Sequence, residues 1–130
     1  MMQFSEKELR VLVLRENWWG CTGWSAFNAF LRTGAAVGSV SESDYVPYNW
    51  QSLPMRVGGR LIRRFCVEEF NRGLLDEAEV LRPHLFFAGK GAFLHAETLR
   101  QLRSMGVMLY NFYPDTSVTA YGPYLPIRAF

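Results

Sequence analysis

Residues 81–115, LRPHLFFAGKGAFLHAETLRQLRSMGVMLYNFYPD, decide the fold because they contain a complete supersecondary unit. Residues 84–88 are a short apolar run between Pro83 and Gly89. Such a run is typical of a strand that is buried on both faces. Proline and glycine at its two ends stop the strand from extending further. We therefore expect a buried strand that ends in the turn Gly89-Lys90-Gly91.

A helix and a second strand complete this unit. Residues 96–104 place apolar side chains at helical spacing, and Gly106 stands where a left-handed C-terminal cap belongs. Residues 107–113 form a second apolar run, which Pro114 ends. Strand, helix and strand within about 30 residues predict a parallel βαβ unit, because a parallel return needs a crossover of this length.

The chain before this unit alternates in the same way. Residues 9–14 (LRVLVL) predict a central strand, and residues 24–32 predict a helix that Thr22 caps and Gly34 ends. Residues 36–40 predict a second, weaker strand, because the glycine and serine within it lower its strand propensity.

A long helix is expected between the second and third strands. Apolar residues keep helical spacing from position 53 to 81, and Ser52 is the expected N-cap. This spacing assigns Leu61 and Phe65 to the core-facing side of the helix. The pair Gly58-Gly59 is a candidate kink, and residues 66–68 are a candidate break.

Four strands that alternate with helices predict an α/β fold, a Rossmann-like open parallel sheet of about four strands with flanking helices. The length of 130 residues predicts a single domain over residues 1–130. A sheet of this type usually has more strands. We therefore expect an incomplete half of a larger fold, or a sheet that a partner completes.

Composition excludes several classes of protein. An apolar content of 49% excludes a disordered chain, and a net charge of +2 gives little support to nucleic-acid binding. Cys21 and Cys66 lack metal-ligand spacing, which predicts reduced thiols in a cytoplasmic protein. No apolar run reaches the ~18 residues of a transmembrane segment, so none is expected. No cofactor or metal motif is present in the sequence.

The loop at residues 20–25 is the first candidate binding element, because it joins the first strand to the first helix. Backbone N–H groups at a helix start can hold a phosphate or a sugar hydroxyl, and Gly20 and Gly23 would allow close approach. The loop matches neither a dinucleotide-binding fingerprint nor a P-loop, so a tight turn is the alternative. Trp19, with Trp18, offers a platform for stacking on a sugar or base; anchoring against a neighbouring loop explains it equally well.

Two further candidates follow the last two strands. Lys90 can neutralise a diphosphate or a carboxylate, and an exposed turn lysine is the alternative. Asp115 can act as a general base toward a hydroxyl or hydrogen-bond a sugar; an Asx turn after Pro114 is the alternative. His84 and His95 have no carboxylate at ligand spacing, which argues against a metal site.

A basic stripe marks the early part of the long helix. Arg56, Arg60, Arg63 and Arg64 follow helical spacing, and such a stripe suits anionic lipid, a nucleic-acid backbone or a protein partner. A solvated face is the simpler interpretation.

Five segments together resemble the N-terminal half of the CgeB-like (spore-maturation type) glycosyltransferases. The segments are WWGCTGWSAFNAFLRTG at 18–34, SDYVPYNWQSLPMR at 43–56, VEEFNRGLLDEAEVLRPHLFFAGKG at 67–91, AETLRQLRSMGVMLYNFYPD at 96–115 and TAYGPYLP at 119–126. The resemblance spans nearly the whole chain from Leu9 onward. Its most specific parts are the lysine-glycine pair at a strand end, the ETLRxLRxxG helix, and the strand that ends in Pro-Asp.

The resemblance implies a GT-B enzyme, in which two Rossmann-like domains face each other across a cleft and transfer a sugar from a nucleotide-sugar donor to an acceptor. It implies that this chain is the acceptor-side domain and that the donor is held by a C-terminal companion domain, which this sequence does not contain. Catalysis by the chain alone is therefore not expected. The matching residues, each expected to line the cleft, are Gly20, Thr22, Gly23, Lys90, Gly91 and Asp115.

One alternative belongs to a different class of function. A non-catalytic interaction module would use the exposed aromatic residues of the tail and the basic stripe to bind a protein, or a second copy of the chain. The cleft residues would then have no catalytic role.

Overall fold

The computed structural model describes residues 8–16, 20–46 and 53–112, except for the side chains of residues 53–57, 59 and 60. The elements, in chain order, are β1 (Arg10–Arg15), α1 (Thr22–Arg32), β2 (Ala36–Ser41), α2 (Leu53–Leu81), β3 (Leu85–Gly89), α3 (Ala96–Ser104) and β4 (Met108–Phe112). A short 3-10 helix, Glu42–Asp44, follows β2 directly.

The four strands form one parallel sheet in the order β2-β1-β3-β4. The register places Val11 beside Val37 of β2 and beside Leu85 of β3. All four carboxyl ends therefore lie at the same edge of the sheet. This architecture confirms the prediction of an open, Rossmann-like parallel α/β sheet.

Helices cover the two faces of the sheet unequally. On one face, Val11 and Val13 of β1 pack with Phe27 and Phe30 of α1. On the other face, β1 and β3 pack against α2 and α3. The buried residues of that larger core are Leu12, Leu14, Val40, Phe70, Leu74, Ala78, Phe86, Ala88, Leu94, Leu99, Leu102 and Val107. Alternate residues of β1 enter different cores because strand side chains point to opposite faces in turn.

Helix α2 is continuous over 29 residues, so the structure has no break at 66–68. Phe70, Leu74 and Ala78 are fully buried, as the apolar spacing predicts. The same spacing was wrong for Leu61 and Phe65, which are 77% and 62% exposed. A helix of this length spans about 44 Å, whereas a six-residue strand spans about 20 Å. The early part of α2 therefore extends past the sheet and has no core to enter.

Two glycines end their helices as the sequence predicts, but the N-cap residue of α1 is not the predicted one. Gly34 and Gly106 adopt the left-handed conformation with φ of 83° and 81°, which confirms the expected ends of α1 and α3. Thr22 was the predicted cap of α1, but the cap is Cys21 and Thr22 is the first helical residue. The predicted cap Ser52 lies outside the described residues. None of the described helices is long and apolar enough to cross a bilayer.

Candidate ligand site at the carboxyl edge of the sheet

A shallow depression of about 140 Å³ opens where the carboxyl ends of β1 and β3 meet the start of α1. Its lining residues are Leu14, Glu16, Gly20, Cys21, Thr22, Gly23, Gly89 and Lys90. Ligands of open parallel sheets bind at this edge, in the crevice outside the strand ends. The depression therefore lies where the fold itself favours a ligand.

The start of α1 supplies backbone donors to this depression. Cys21 caps the helix: its Sγ accepts the N–H of Trp24 at 3.2 Å and donates to the carbonyl of Glu16 at 3.3 Å. The N–H groups of Thr22 and Gly23 belong to the first turn, for which an α-helix has no acceptor of its own. Such groups, with the positive end of the helix dipole, favour an oxygen-rich or anionic ligand.

Close packing at Gly23 brings α1 against the end of β1. A Cβ atom at Gly23 would lie 2.5 Å from the carbonyl oxygen of Leu14 and 2.6 Å from the Cα of Arg15. Both neighbours are backbone atoms of the central strand, so they cannot move aside without distorting the sheet. A Cβ atom at Gly89 would lie 3.6 Å from the backbone nitrogen of Gly23, so the end of β3 adjoins the same helix start.

The turn after β3 holds Lys90 in a rarely populated conformation. Lys90 has a φ of 65°, in the left-handed region that few non-glycine residues adopt, and Gly91 follows with 73°. The N–H of Lys90 donates to the carbonyl of Phe112 at 3.0 Å, which joins the turn to the last residue of β4. Strain of this kind persists only where the surrounding structure fixes it, and it concentrates at functional sites.

A buried amide fixes the rest of the β3–α3 loop. The Nδ2 group of Asn71 on α2 donates to the carbonyl of Phe93 at 2.9 Å. Its Oδ1 accepts the N–H of His95 and the hydroxyl of Thr98, both at 2.8 Å. The loop that follows Lys90 is thus tied to a core helix and has a defined path.

The electrostatics of the depression are mixed. Lys90 and the start of α1 contribute positive potential, whereas Glu16 contributes a carboxylate. A bare anion would be attracted by Lys90 and the helix start and repelled by the carboxylate of Glu16. A ligand that carries both hydroxyl groups and an anionic group suits all of them, because a carboxylate accepts hydrogen bonds from hydroxyls. The arrangement therefore favours a polyol with an attached phosphate or carboxylate.

The structure brings four of the predicted site residues together, namely Gly20, Thr22, Gly23 and Lys90. Gly91 directly follows Lys90 but is not one of the residues that line the depression. The predicted stacking residue Trp19 and the predicted base Asp115 lie outside the described part of the chain, so their positions stay predictions.

Four lining residues were missed as site candidates in the sequence, namely Leu14, Glu16, Cys21 and Gly89. Glu16 follows the first strand, and the rule that ligands gather at carboxyl ends could have identified it. Gly89 ends the third strand beside Lys90, and the same rule applies to it. Cys21 gave no signal, because serine, threonine, aspartate and asparagine are the usual N-caps and cysteine is not.

The histidines have structural positions. Nδ1 of His84 accepts the N–H of Arg10 at 3.1 Å, which joins the entry of β3 to β1. His95 occupies the N-cap position of α3, and no cap bond from its side chain is formed in the described residues. Within residues 8–16, 20–46 and 53–112, no group of three or more His, Cys, Asp or Glu side chains is placed to hold a metal ion.

Comparisons of the chain with protein-family models, with curated proteins and with solved structures found no match.

Proposed function

We propose that this chain is the acceptor-side domain of a GT-B-type glycosyltransferase, of the kind that the CgeB-like enzymes represent. In this proposal it acts in the cytoplasm and binds the acceptor at the carboxyl edge of its sheet. A companion domain binds the nucleotide-sugar donor, and sugar transfer needs both. The chain alone is not active.

One observation carries the proposal: the turn at Gly20–Gly23 and the turn at Gly89–Lys90 line one depression together with Glu16. The backbone donors and Lys90 suit an anionic group, and the carboxylate of Glu16 suits hydroxyl groups. A sugar-like acceptor presents both kinds of group. Asp115 is the proposed general base, because it follows the strand next to β3 in a parallel sheet.

Ligand-observed saturation-transfer NMR tests this function. The chain is mixed with nucleotide sugars and with sugar-phosphate acceptors, first alone and then with a donor-binding domain of a GT-B enzyme. We expect saturation transfer from the chain to an acceptor, with the hydroxyl-bearing carbons closest to the protein. The proposal fails when no acceptor binds in either mixture.

Matched variants locate the binding. Lys90→Asn removes the ammonium and keeps a residue type that tolerates the left-handed region, so we expect weaker acceptor binding with little change in stability. Arg100→Gln is the control, because Arg100 is exposed on α3 and pairs with Glu97 on its own helix. Equal binding by Lys90→Asn and Arg100→Gln would place the ligand elsewhere.

A second candidate function is favoured by the uncovered face of β4. Met108, Tyr110 and Phe112 point to the α1 side of the sheet and are 70%, 52% and 42% exposed. Tyr110 stacks on Phe87 of β3 at a centroid distance of 5.4 Å, so this apolar area continues into the sheet. β4 is an edge strand of the described sheet, and such strands pair with added strands. A protein that completes the sheet would bind here, and the chain would then be an interaction module.

Sedimentation velocity separates this candidate from the first. A Tyr110→Lys, Phe112→Lys double variant places charge on the uncovered face and should abolish a homo-oligomer or a complex with a companion domain. Acceptor binding at the depression should persist in the same variant. A wild-type chain that stays monomeric with every companion domain would remove the support for this candidate.

A further inference from the structure

The early part of α2 differs from the rest of the helix in both burial and charge. We call residues 53–67, LPMRVGGRLIRRFCV, the basic segment. Phe70 is the first buried side chain among those described in α2, and the described part of the basic segment before it is exposed or half-buried. Because α2 returns the chain from the carboxyl end of β2 to the start of β3, the basic segment projects from the carboxyl edge of the sheet.

The exposed apolar side chains of the basic segment form one ridge. Leu61, Ile62 and Phe65 are 77%, 48% and 62% exposed. Leu61 and Phe65 are four residues apart and so lie on the same face of the helix. Leu61 and Phe70 are nine residues apart, about two and a half turns, so the ridge faces away from the core. No described element covers it.

The charge of the basic segment is unlike that of the remaining chain. It contains Arg56, Arg60, Arg63 and Arg64 and no acidic residue, which gives a charge of +4 over 15 residues. The other 115 residues carry ten Lys or Arg and twelve Asp or Glu, which gives a charge of −2. A chain with a modest net charge thus concentrates positive charge at one end of one helix.

Arg63 and Arg64 are exposed, and helical spacing places Arg64 beside the ridge and Arg63 on the opposite side of the helix. Arg64 is 82% exposed and forms an ion pair with Glu68 at 3.6 Å, a surface contact of small energy. The guanidinium of Arg63 lies 5.4 Å from the ring centroid of Phe93 in the β3–α3 loop. This contact supports the projecting helix from the loop below and leaves the apolar ridge on its outer side.

We propose that the basic segment binds the surface of an anionic lipid membrane. Leu61, Ile62 and Phe65 enter the boundary between headgroups and acyl chains, and the arginines contact lipid phosphates. An apolar ridge with arginines on the rest of the helix is the pattern of an interfacial amphipathic helix. A membrane is favoured over a protein because three exposed apolar side chains stand on a segment with four arginines and no acidic residue, which complements an anionic surface with an apolar interior. An unbroken positive charge suits a surface of many equivalent phosphates.

Vesicle co-sedimentation of the full chain tests the proposal. The vesicles contain phosphatidylcholine alone, or phosphatidylcholine with a minority of phosphatidylserine, at physiological ionic strength. We expect the chain to pellet with the second vesicles and not with the first, and the binding to weaken when salt is raised. The Arg64→Gln variant should bind about fivefold more weakly, since one arginine near the surface contributes about fivefold.

Two pairs of variants distinguish insertion from general attraction. Leu61→Ser with Phe65→Ser removes the ridge and should abolish pelleting, although all four arginines remain. Val80→Ser is the control, because Val80 is 83% exposed at the far end of the same helix and should change nothing. Arg72→Gln is the charge control, because Arg72 is an exposed arginine outside the basic segment.

The proposal is overturned by either of two kinds of result. One is a wild-type chain that stays in the supernatant with phosphatidylserine vesicles, or a ridge variant that pellets like wild type. The other is a wild-type dimer in sedimentation velocity that the ridge variant converts to monomer, which would make the ridge a contact between copies. Circular dichroism of each variant verifies folding, and exposed positions of this kind seldom cost more than about 0.5 kcal/mol.

Discussion

The Oδ1 atom of Asn71 accepts the backbone N–H of His95 at 2.8 Å and so joins the middle of α2 to the start of α3. Asn71 is 4% exposed, and its amide also bonds to Val67, Phe93 and Thr98. Every donor and acceptor of this buried side chain is therefore used. One asparagine therefore fixes the end of the β3–α3 loop, where the loop enters α3.

Replacement of Asn71 by alanine should lower the free energy of unfolding by about 3 kcal/mol. The change removes four hydrogen bonds and leaves the hydroxyl of buried Thr98 without its acceptor, and an unpartnered buried polar group costs roughly 1–3 kcal/mol. Urea unfolding measures the difference. Asn28→Ala is the control, because the Asn28 side chain bonds to Trp24 within its own helix, and it should cost less than about 0.5 kcal/mol.

A double-mutant cycle with Thr98 refines this expectation. Thr98→Val alone should cost roughly 1–2 kcal/mol, since it leaves Oδ1 of Asn71 with one bond fewer. The Asn71→Ala, Thr98→Val pair should cost clearly less than the sum of the single changes, because both remove the same hydrogen bond. Strict additivity would show that the bond contributes nothing to stability.

Two glycine-to-alanine changes should have opposite signs. Gly23→Ala forces a methyl group against the backbone of Leu14 and Arg15, so we expect a loss of roughly 2–4 kcal/mol and an altered site. Gly58→Ala introduces a methyl group in the second turn of α2, where it meets no atom within 4 Å apart from the adjacent helix backbone. It should stabilise the protein by about 0.5–1 kcal/mol, because alanine is the better helix former. Thermal unfolding followed by circular dichroism gives both values.

The capping role of Cys21 predicts how substitutions at this position rank in stability. Cys21→Ser keeps an atom that accepts the N–H of Trp24 and should be neutral or stabilising by up to about 1 kcal/mol. Cys21→Ala removes the cap and should cost roughly 1 kcal/mol, plus a small term for the buried volume. Urea unfolding at neutral pH compares the three proteins. A serine variant less stable than the alanine variant would contradict a capping role.

The sequence predicted the sheet because each of its signals is local. Runs such as LRVLVL at 9–14, and glycines such as Gly34 and Gly106, act within a few residues, and the parallel order follows from the crossovers. The exposure of Leu61 depends instead on how far α2 extends past the sheet. That distance can be known only when the lengths of the strands beneath the helix are also known. Periodicity reports that a helix is amphipathic; it does not report whether a core lies beneath each turn.

The same distinction applies to the site. Gly20, Gly23 and Lys90 follow from the rule that strand ends converge at one edge of a parallel sheet. The close approach of Gly23 to Leu14 and the bonds of Asn71 to the β3–α3 loop depend on contacts between residues far apart in sequence. No local pattern encodes such contacts, so only coordinates reveal them.

The C-terminal end of α2 offers a stabilising substitution. Arg82 has a φ of 49°, in the left-handed region, directly after the last helical residue, where glycine is the preferred residue. Its N–H donates to the carbonyl of Ala78 at 2.8 Å, and its carbonyl accepts Nε of Arg10 at 2.8 Å. Both bonds are made by backbone atoms of Arg82, so a glycine keeps them.

We therefore expect Arg82→Gly to raise the free energy of unfolding by about 0.5–1 kcal/mol, because the strain of a left-handed side-chain-bearing residue is relieved. Gln101→Gly is the comparison, since Gln101 is exposed inside α3 with ordinary helical geometry and should lose about 1 kcal/mol. Urea unfolding should give a change in the free energy of unfolding that is positive for Arg82→Gly and negative for Gln101→Gly. If Arg82→Gly destabilises the protein as much as Gln101→Gly does, then position 82 is not strained and its left-handed conformation has another cause.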